Sequence, residues 1–532
     1  MLRLLYTGKM NFQSANDIIL SVFARYNEQI LSEDSGNLCK KLLDFSKGRI
    51  ILHLNFSIIR GFSIMEQIPD SIHFVGVGGI GMSALAQMAA SLGIETSGSD
   101  RGANAPENQR IIGALKNCGV KIYPQDGSRM NEAPLPRALI YSTAIEEDNP
   151  DFVKGKDIPR LHRSQAMKLL VERSGKQILA VTGSCGKTSV TAWLAEALTA
   201  CGKDPTMIGG GLSNCFAGTA SAGNYHCGNG DLCVLEADES DKSLLNYSAA
   251  HALVLNIGTD HYSKEELVEV FQKFLKSTKE TAVMSTDVFE ALGKECMKHL
   301  KVRLFSTDPE APETMGGYPV LNVTDYHAEA GKITAKIGGT AIELPAPGIH
   351  NAANAAAVIC MLELLGVDRK TAVEAAAKFS GVWRRFDFAG TTDPGVRIYD
   401  DYAHNVEKIQ SCIRAAKEIS GGRVLAIFQP HGFAPLRFMR EELIVMLKET
   451  LEPQDVFAFL PVYYAGGTTS FSPKAEEVAA EYSQQLADQI QYFDTRAIAE
   501  EWISRNLQAG DIAVVMGARD NSLSDWAGSM GK

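Results

Sequence analysis

Residues 177–202, QILAVTGSCGKTSVTAWLAEALTACG, restrict the fold more than any other stretch of the chain. An apolar, β-branched run enters the turn Gly183-Ser184-Cys185-Gly186-Lys187-Thr188-Ser189 and leaves as an Ala- and Leu-rich helix. A strand, turn and helix in this order aim backbone N–H groups and an ammonium at phosphate oxygens, and offer a Thr hydroxyl to Mg²⁺. The common phosphate-loop spacing has a further glycine where this chain has Val181, so the loop is a shortened form. A helix N-terminus lowers a thiol pKa, but bound phosphates oppose that, so Cys185 is expected as a contacting thiol and not as a nucleophile.

Two flanking regions repeat the pattern. Upstream, the strand SIHFVGV runs into glycines and then the helix GMSALAQMAASLG. Gly76, Gly78 and Gly81 fit G-x-G-x-x-G, with Gly79 inside the turn and Met82 and Ser83 opening the helix. Small residues there let backbone amides approach a diphosphate. A second strand ends at Asp100, where an acid suits a ribose or base, and a third ends in the loop Ser142-Thr143-Ala144. NAD is the obvious ligand of such a turn, any nucleotide diphosphate meets the same physics, and a turn that merely packs a helix on a sheet is the plain alternative. Downstream, FSGVWRRFDFAG carries Arg384 and Arg385, whose guanidinium groups suit a transferring phosphoryl group. Strands in RIYDDYAHN, RVLAIFQPHGF, DVFAFLPVYYAGG and DIAVVMGARDNS then alternate with helices, one of them from Val406. Alternation of this kind predicts a mostly parallel sheet and an α/β fold.

Acids and amides complete the candidate site. GDLCVLEADESDKSLL is a strand ending in Glu236, Asp238, Glu239 and Asp241. Carboxylates at a strand end beside a phosphate loop suit Mg²⁺, and Glu236, which continues the apolar strand, stands out from a solvated acidic face. HALVLNIGTDH ends in Asp260-His261, where the histidine suits a metal or a phosphate. PAPGIHNAANAAAVICMLELLG places Asn351 and Asn354 at a helix start; Asn354 suits an adenine edge, and Asn351 suits that or a helix cap.

Composition bounds the class. A chain of 532 residues suggests three to four domains at about 150 residues each. A formal net charge of −11 argues against a nucleic-acid partner. Nowhere do eighteen apolar residues run uninterrupted, which argues against membrane insertion. The ten cysteines are scattered without a CxxC pair, as expected for reduced thiols in a cytoplasmic enzyme. Residues 1–64 carry eight Lys/Arg against five Asp/Glu, a net +3, and lack a signal-peptide pattern. They are expected to be a poorly ordered extension or a mis-called start.

Nine segments in order, VGVGGIGMS, TGSCGKTS, EADESD, TDH, PGIHNAANAAA, GVWRRFDF, DDYAHN, FQPHGF and VVMGARDN, resemble the Mur ligases of peptidoglycan precursor synthesis, and within them the alanine-adding branch. The resemblance runs from about residue 70 to the end. It implies three domains: a Rossmann-like domain over 65–165 that binds the UDP substrate, a P-loop ATPase-like domain over 166–380, and a Rossmann-like domain over 381–532 that binds the amino acid. It implies ATP and Mg²⁺, and UDP-N-acetylmuramate joined to L-alanine through an acyl phosphate, in a cytoplasmic monomer or homodimer. It assigns Gly76, Gly78, Gly79, Gly81, Met82, Ser83, Asp100, Ser142 and Ala144 to the UDP substrate. Gly183 to Ser189, Asn354, Arg385 and Asp401 go to ATP, and Thr188, Glu236 and His261 to the metal. Lys187, Glu236, His261 and Arg385 are the implied catalytic set. Tyr402, His404, His431 and Arg437 face the amino acid. This chain departs from the pattern at Ala403-His404-Asn405-Val406 and has Gly432 and Pro435 where that branch has arginines. Those departures touch the choice of amine. A peptide-recycling ligase, a ligase for another small amino acid and a non-catalytic UDP-sugar-binding relative are the alternatives.

Overall fold

A computed structural model describes residues 66–531, apart from 240–241, 259–262, 330–331, 465–470 and the side chain of Glu107. The expectations for residues 1–64 and for Asp241, Asp260 and His261 therefore lie outside the described residues.

Three sheets follow one another along the chain. The first has strands β1 (Ser71–Val75), β2 (Glu95–Ser99), β3 (Lys121–Tyr123), β4 (Ala138–Tyr141) and β5 (Arg160–His162) in the order β3-β2-β1-β4-β5. All its pairings are parallel. Because β1 is followed by β2 on one side and flanked by β4 on the other, the crevice at the carboxyl ends of β1 and β4 is a topological switch point, where doubly wound sheets bind ligands.

The central sheet has β6 (Gln177–Thr182), β7 (Thr206–Ile208), β8 (Tyr225–His226), β9 (Leu232–Glu236), β10 (His251–Val254), β11 (Thr281–Ser285), β12 (Lys301–Ser306), β13 (Thr314–Met315), β14 (Tyr318–Glu329), β15 (Lys332–Ile337) and β16 (Thr340–Glu343). Its order places β6 between β9 and β10, so the phosphate loop, Glu236 and Asn256 emerge at one edge. The far side continues as an antiparallel β14-β15-β16 meander.

The third sheet has β17 (Asp387–Thr391), β18 (Arg397–Asp401), β19 (Val424–Phe428), β20 (Val456–Phe459), β21 (Ile490–Tyr492) and β22 (Ile512–Met516), in the order β17-β18-β22-β19-β20-β21. Only β17 is antiparallel to its neighbour.

Two kinds of helix start occur. Helices Lys264–Ser277, Val406–Ile419 and Arg496–Asn506 are capped by the side chains of Ser263, Asn405 and Thr495, which occupy otherwise orphaned backbone donors. Helices Ile80–Ser91, Lys187–Ala200, Ile349–Leu364 and Phe433–Thr450 begin instead at Gly79, Gly186, Gly348 and Gly432, with no capping side chain and no acid in the first turn. Their first amides and positive dipole ends remain available to an anion. Among the described residues, no helix is long and apolar enough to cross a membrane, and the nine described cysteines are free thiols.

Candidate active site

The phosphate loop is held from both sides. Asn256, two residues past β10, accepts the Cys185 amide at 2.8 Å and donates to the Cys185 carbonyl at 3.0 Å. The Ser184 hydroxyl accepts the Gly258 amide at 2.7 Å. Gly186 adopts φ +86°, a left-handed conformation that glycine tolerates without a Cβ clash, and a Cβ there would stand 3.1 Å from the Asn354 amide. Nothing in the local sequence marks Asn256; its role depends on β6 and β10 lying side by side.

Lys187 folds back over this loop. Its ammonium donates to the Gly183 carbonyl at 2.8 Å and to Glu239 Oε2 at 2.7 Å, with Asp238 at 3.9 Å. Glu239 is only 4% exposed, so it is a buried counter-ion and not part of a solvated acidic face. Burial pulls the Lys187 pKa down, but the carboxylates of Glu239, Asp238 and Glu236 outweigh it and hold the ammonium protonated. Glu236 accepts from the Thr188 hydroxyl at 3.1 Å and from the Gly210 amide at 2.8 Å. Hydroxyl and carboxylate oxygens thus converge beside the loop, and hard oxygen donors of this kind fit Mg²⁺.

The two arginines after the central unit part company. Arg384 has φ +59° and is 1% exposed. It pairs with Asp400 at 3.2 Å and donates to the carbonyls of Gly517 at 2.5 Å and Asp520 at 3.0 Å. It is consumed inside the third unit, so the expectation that the pair acts together on a phosphoryl group holds at most for Arg385. Arg385 stays partly exposed and lies 5.4 Å from the Tyr402 ring centroid. Asp401 accepts from the amides of Phe386 at 2.6 Å and Ala403 at 2.7 Å, fixing the turn that carries Tyr402 and His404. Burial pushes its carboxyl up to about 6, against the opposing pull of Arg385 and those two amides.

These groups line one cavity of about 620 Å³. Residues 184–189, Glu236, Glu239 and Asn256 form one wall, Asn351 and Asn354 a second, and Arg385, Asp401, Tyr402 and His404 a third. The volume falls in the range of small-molecule sites. Asn351 does not cap its helix; its side chain donates to the Pro347 carbonyl at 2.6 Å. The His431 and His404 rings meet edge to face at 5.2 Å, behind that third wall. Burial, His404 and Arg519 lower the His431 pKa to about 4, so its ring is neutral. Arg437 is not among the residues lining this cavity; it is exposed on its helix and donates to the Ser472 carbonyl at 2.5 Å. Cys185 sits 3.8 Å from a Glu407 carboxylate oxygen, a contacting thiol.

A narrower crevice of about 90 Å³ joins the first unit to the central one, lined by Gly81, Arg163, Gly210, Glu236 and Asp238 among others. It shares Glu236 and Asp238 with the large cavity. Beyond it, the Asp100 carboxylate accepts from the amides of Gly78 at 2.8 Å and Gly102 at 2.7 Å, which brings Asp100 to the glycine turn. A Cβ on Gly76 would sit 3.0 Å from Ile145, so the loop carrying Ser142 and Ala144 borders the same turn. Met82 and Ser83 differ from the rest of that set. Both are buried, and the Ser83 hydroxyl accepts from Asn224 at 2.7 Å, so Ser83 braces the first unit on the second, while Met82 lies against the glycine turn, 4.0 Å from where a Cβ on Gly79 would stand. Their helix is buried from Met82 to Ala89 and reaches solvent only at its two ends.

The description "Mur ligase family, catalytic domain" matches residues 71–174, "Mur ligase middle domain" residues 181–362, and "Mur ligase, glutamate ligase domain" residues 384–519. A UDP-N-acetylmuramate–L-alanine ligase of Chelativorans sp. (strain BNC1) is 30% identical over 489 residues, covering 88% of this chain and 99% of that protein. The chain belongs to the Mur ligase family. It is therefore an ATP-dependent ligase with the three-part α/β architecture of that family. A protein of the same description from Clavibacter michiganensis subsp. michiganensis is 34% identical over 389 residues, covering 71% of this chain and 77% of that one. Among solved structures, the UDP-N-acetylmuramate–alanine ligase of Thermotoga maritima superposes with a TM-score of 0.69 at 26% identity, covering 86% of this chain and 98% of that one. A murein peptide ligase of Psychrobacter arcticus shares the fold, with a TM-score of 0.57 at 19% identity.

Proposed function

We propose that this Mur ligase joins L-alanine to the carboxylate of UDP-N-acetylmuramate in the cytoplasm, using ATP to activate the carboxylate as an acyl phosphate. The observation that carries the reading is the shared wall: Glu236 and Asp238 border both the large cavity and the crevice leading toward the Gly76–Asp100 turn. A carboxylate entering from the first unit would meet a nucleotide's γ-phosphate at that wall.

ATP would lie with its phosphates on the amides of residues 183–189 and its base near Asn354. The glycine turn Gly76–Gly81, with Asp100, Ser142 and Ala144 at the switch point, would hold the UDP moiety. Thr188 and Glu236 would hold Mg²⁺, and His261 is the third ligand suggested by sequence. The ion would neutralise phosphate charge when bound. A carboxylate oxygen of the sugar attacks the γ-phosphorus, the bond to the bridging oxygen breaks, and ADP leaves. Lys187 and Arg385 spread the charge on the transferring group. The amine nitrogen of alanine then attacks the acyl carbon, passes through a tetrahedral intermediate, loses a proton, and expels phosphate. Tyr402, His404 and His431 would receive the amine, with neutral His431 able to accept a hydrogen bond from it. The acyl phosphate must be shielded from water, which implies closure of the third unit over the central one.

The test is phosphate release from ATP with UDP-N-acetylmuramate and a panel of amines. Release dependent on L-alanine is expected. Release with a tripeptide and not with alanine would replace the amine, and no release with any amine would remove the catalytic reading.

A further inference from the structure

We infer that Arg519 supplies the guanidinium that holds the carboxylate of the incoming amino acid. This rests on the alanine-ligase reading above and names a residue that reading does not assign.

Three adjacent strands set the geometry. In register, Met516 at the end of β22 pairs with Asp401 at the end of β18 on one side and with Phe428 at the end of β19 on the other. His404, His431 and Arg519 each lie three residues beyond those paired ends. The topology therefore gathers two imidazoles and one guanidinium at a single sheet edge. The His404–His431 ring contact and the influence of Arg519 on the His431 ring agree with that placement.

The backbone at Arg519 is unusual. Its φ is +68°, left-handed for a residue with a long side chain. Such strain persists only where the surroundings impose it, and it concentrates at functional positions. Here buried Arg384 grips the carbonyls of Gly517 and Asp520 on either side, so Arg519 is presented from a braced loop. The neighbouring acids are engaged elsewhere. Asp520 pairs with Arg496 at 2.8 Å, Asp400 with Arg384, and Asp401 with two backbone amides. The Arg519 side chain is exposed and makes no hydrogen bond or ion pair with the described residues. The helix start that follows His431 leaves the Phe433 and Ala434 amides uncapped, residues 432–436 carry no charge, and Arg437 is tied to Ser472. A planar guanidinium beside free amides is suited to a carboxylate held in bidentate fashion.

The experiment compares L-alanine with L-alaninamide, which lacks the carboxylate charge, in the full-length enzyme and in Arg519→Gly and Arg519→Gln. Glycine suits φ +68°, so Arg519→Gly is expected to melt no lower than the unaltered protein. Loss of a charge-assisted contact is expected to raise KM for alanine by about 10- to 100-fold in both variants. KM for alaninamide and for ATP should not follow, so the preference for alanine over its amide collapses. An equal change for alanine and alaninamide, or no change for either, overturns the assignment while leaving the ligase reading standing. No turnover of either amine by the unaltered enzyme removes both.

Discussion

The two ends of the large cavity are built to different standards. At the phosphate end, each polar group is braced by another: Asn256 and Ser184 hold the loop, Glu239 holds Lys187, and Glu236 holds Thr188. At the amine end, His404 Nδ1 meets the Tyr402 carbonyl at 2.9 Å, but His431 Nδ1 has no hydrogen-bond partner among the described residues, and the two imidazoles meet edge to face. Preorganisation at the first end suits a step common to any carboxylate that is to be phosphorylated. A sparser second end leaves recognition of the amine to a few side chains, so single substitutions there should redirect specificity and spare the activation step.

The largest expected break in this contrast comes from Lys187→Ala. Phosphate release should fall by about 10³-fold, because a charge poised over the transferring group is lost. Removing the cation also leaves Glu239 buried alone, at about 3 kcal/mol of stability. Adding Glu239→Gln should recover most of the melting temperature and none of the turnover. Recovery of turnover would show that Lys187 serves the fold alone.

Next in size is the arginine pair. Arg384→Ala should cost about 3–5 kcal/mol by stripping Asp400 of its buried partner, as read by denaturant unfolding. Arg385→Ala should leave stability within about 1 kcal/mol and lower turnover by about 10²-fold. Similar stability losses for both would erase the distinction drawn between them.

Asp401 gives a pH signature. Its carboxyl is raised from 3.8 to about 6. The folded state therefore binds this proton more tightly than the unfolded chain does. That contribution is fully present below about pH 4 and is lost as pH rises through about 6, a change of about 3 kcal/mol. Asp401→Asn should flatten that segment of the stability–pH curve, and an unchanged slope would contradict the shift. The smallest effect is expected from Asn256→Ala, about 1–2 kcal/mol of stability and a rise in KM for ATP of about 10-fold.

What the sequence revealed follows the reach of each interaction. The strand–turn–helix at 177–202 is local, and its loop and helix lie where the residues place them. The strand end at Glu236 was readable in the same way, because an apolar run that meets an acid marks the edge of a sheet, whereas Asp401 stood out only through the family resemblance. The resemblance singled out Arg385, but the burial of Arg384 was not readable, since it depends on carbonyls at Gly517 and Asp520, more than a hundred residues on. Asn256 was hidden for the same reason, reaching Cys185 across 71 residues. Glu239 looked like one of several surface acids until its burial under Lys187 separated it from the rest. The antiparallel meander β14-β15-β16 went unread because its strands alternate weakly, YPVLNVTDYHAE among them.

The central claim is that ATP activates the sugar carboxylate as an acyl phosphate before the amine enters. Following ¹⁸O from a doubly labelled UDP-N-acetylmuramate carboxylate tests it most directly. With ATP and L-alanine present, each released phosphate should carry one ¹⁸O from that carboxylate, and the amide product should retain the other. Amide formation with unlabelled phosphate would contradict the account.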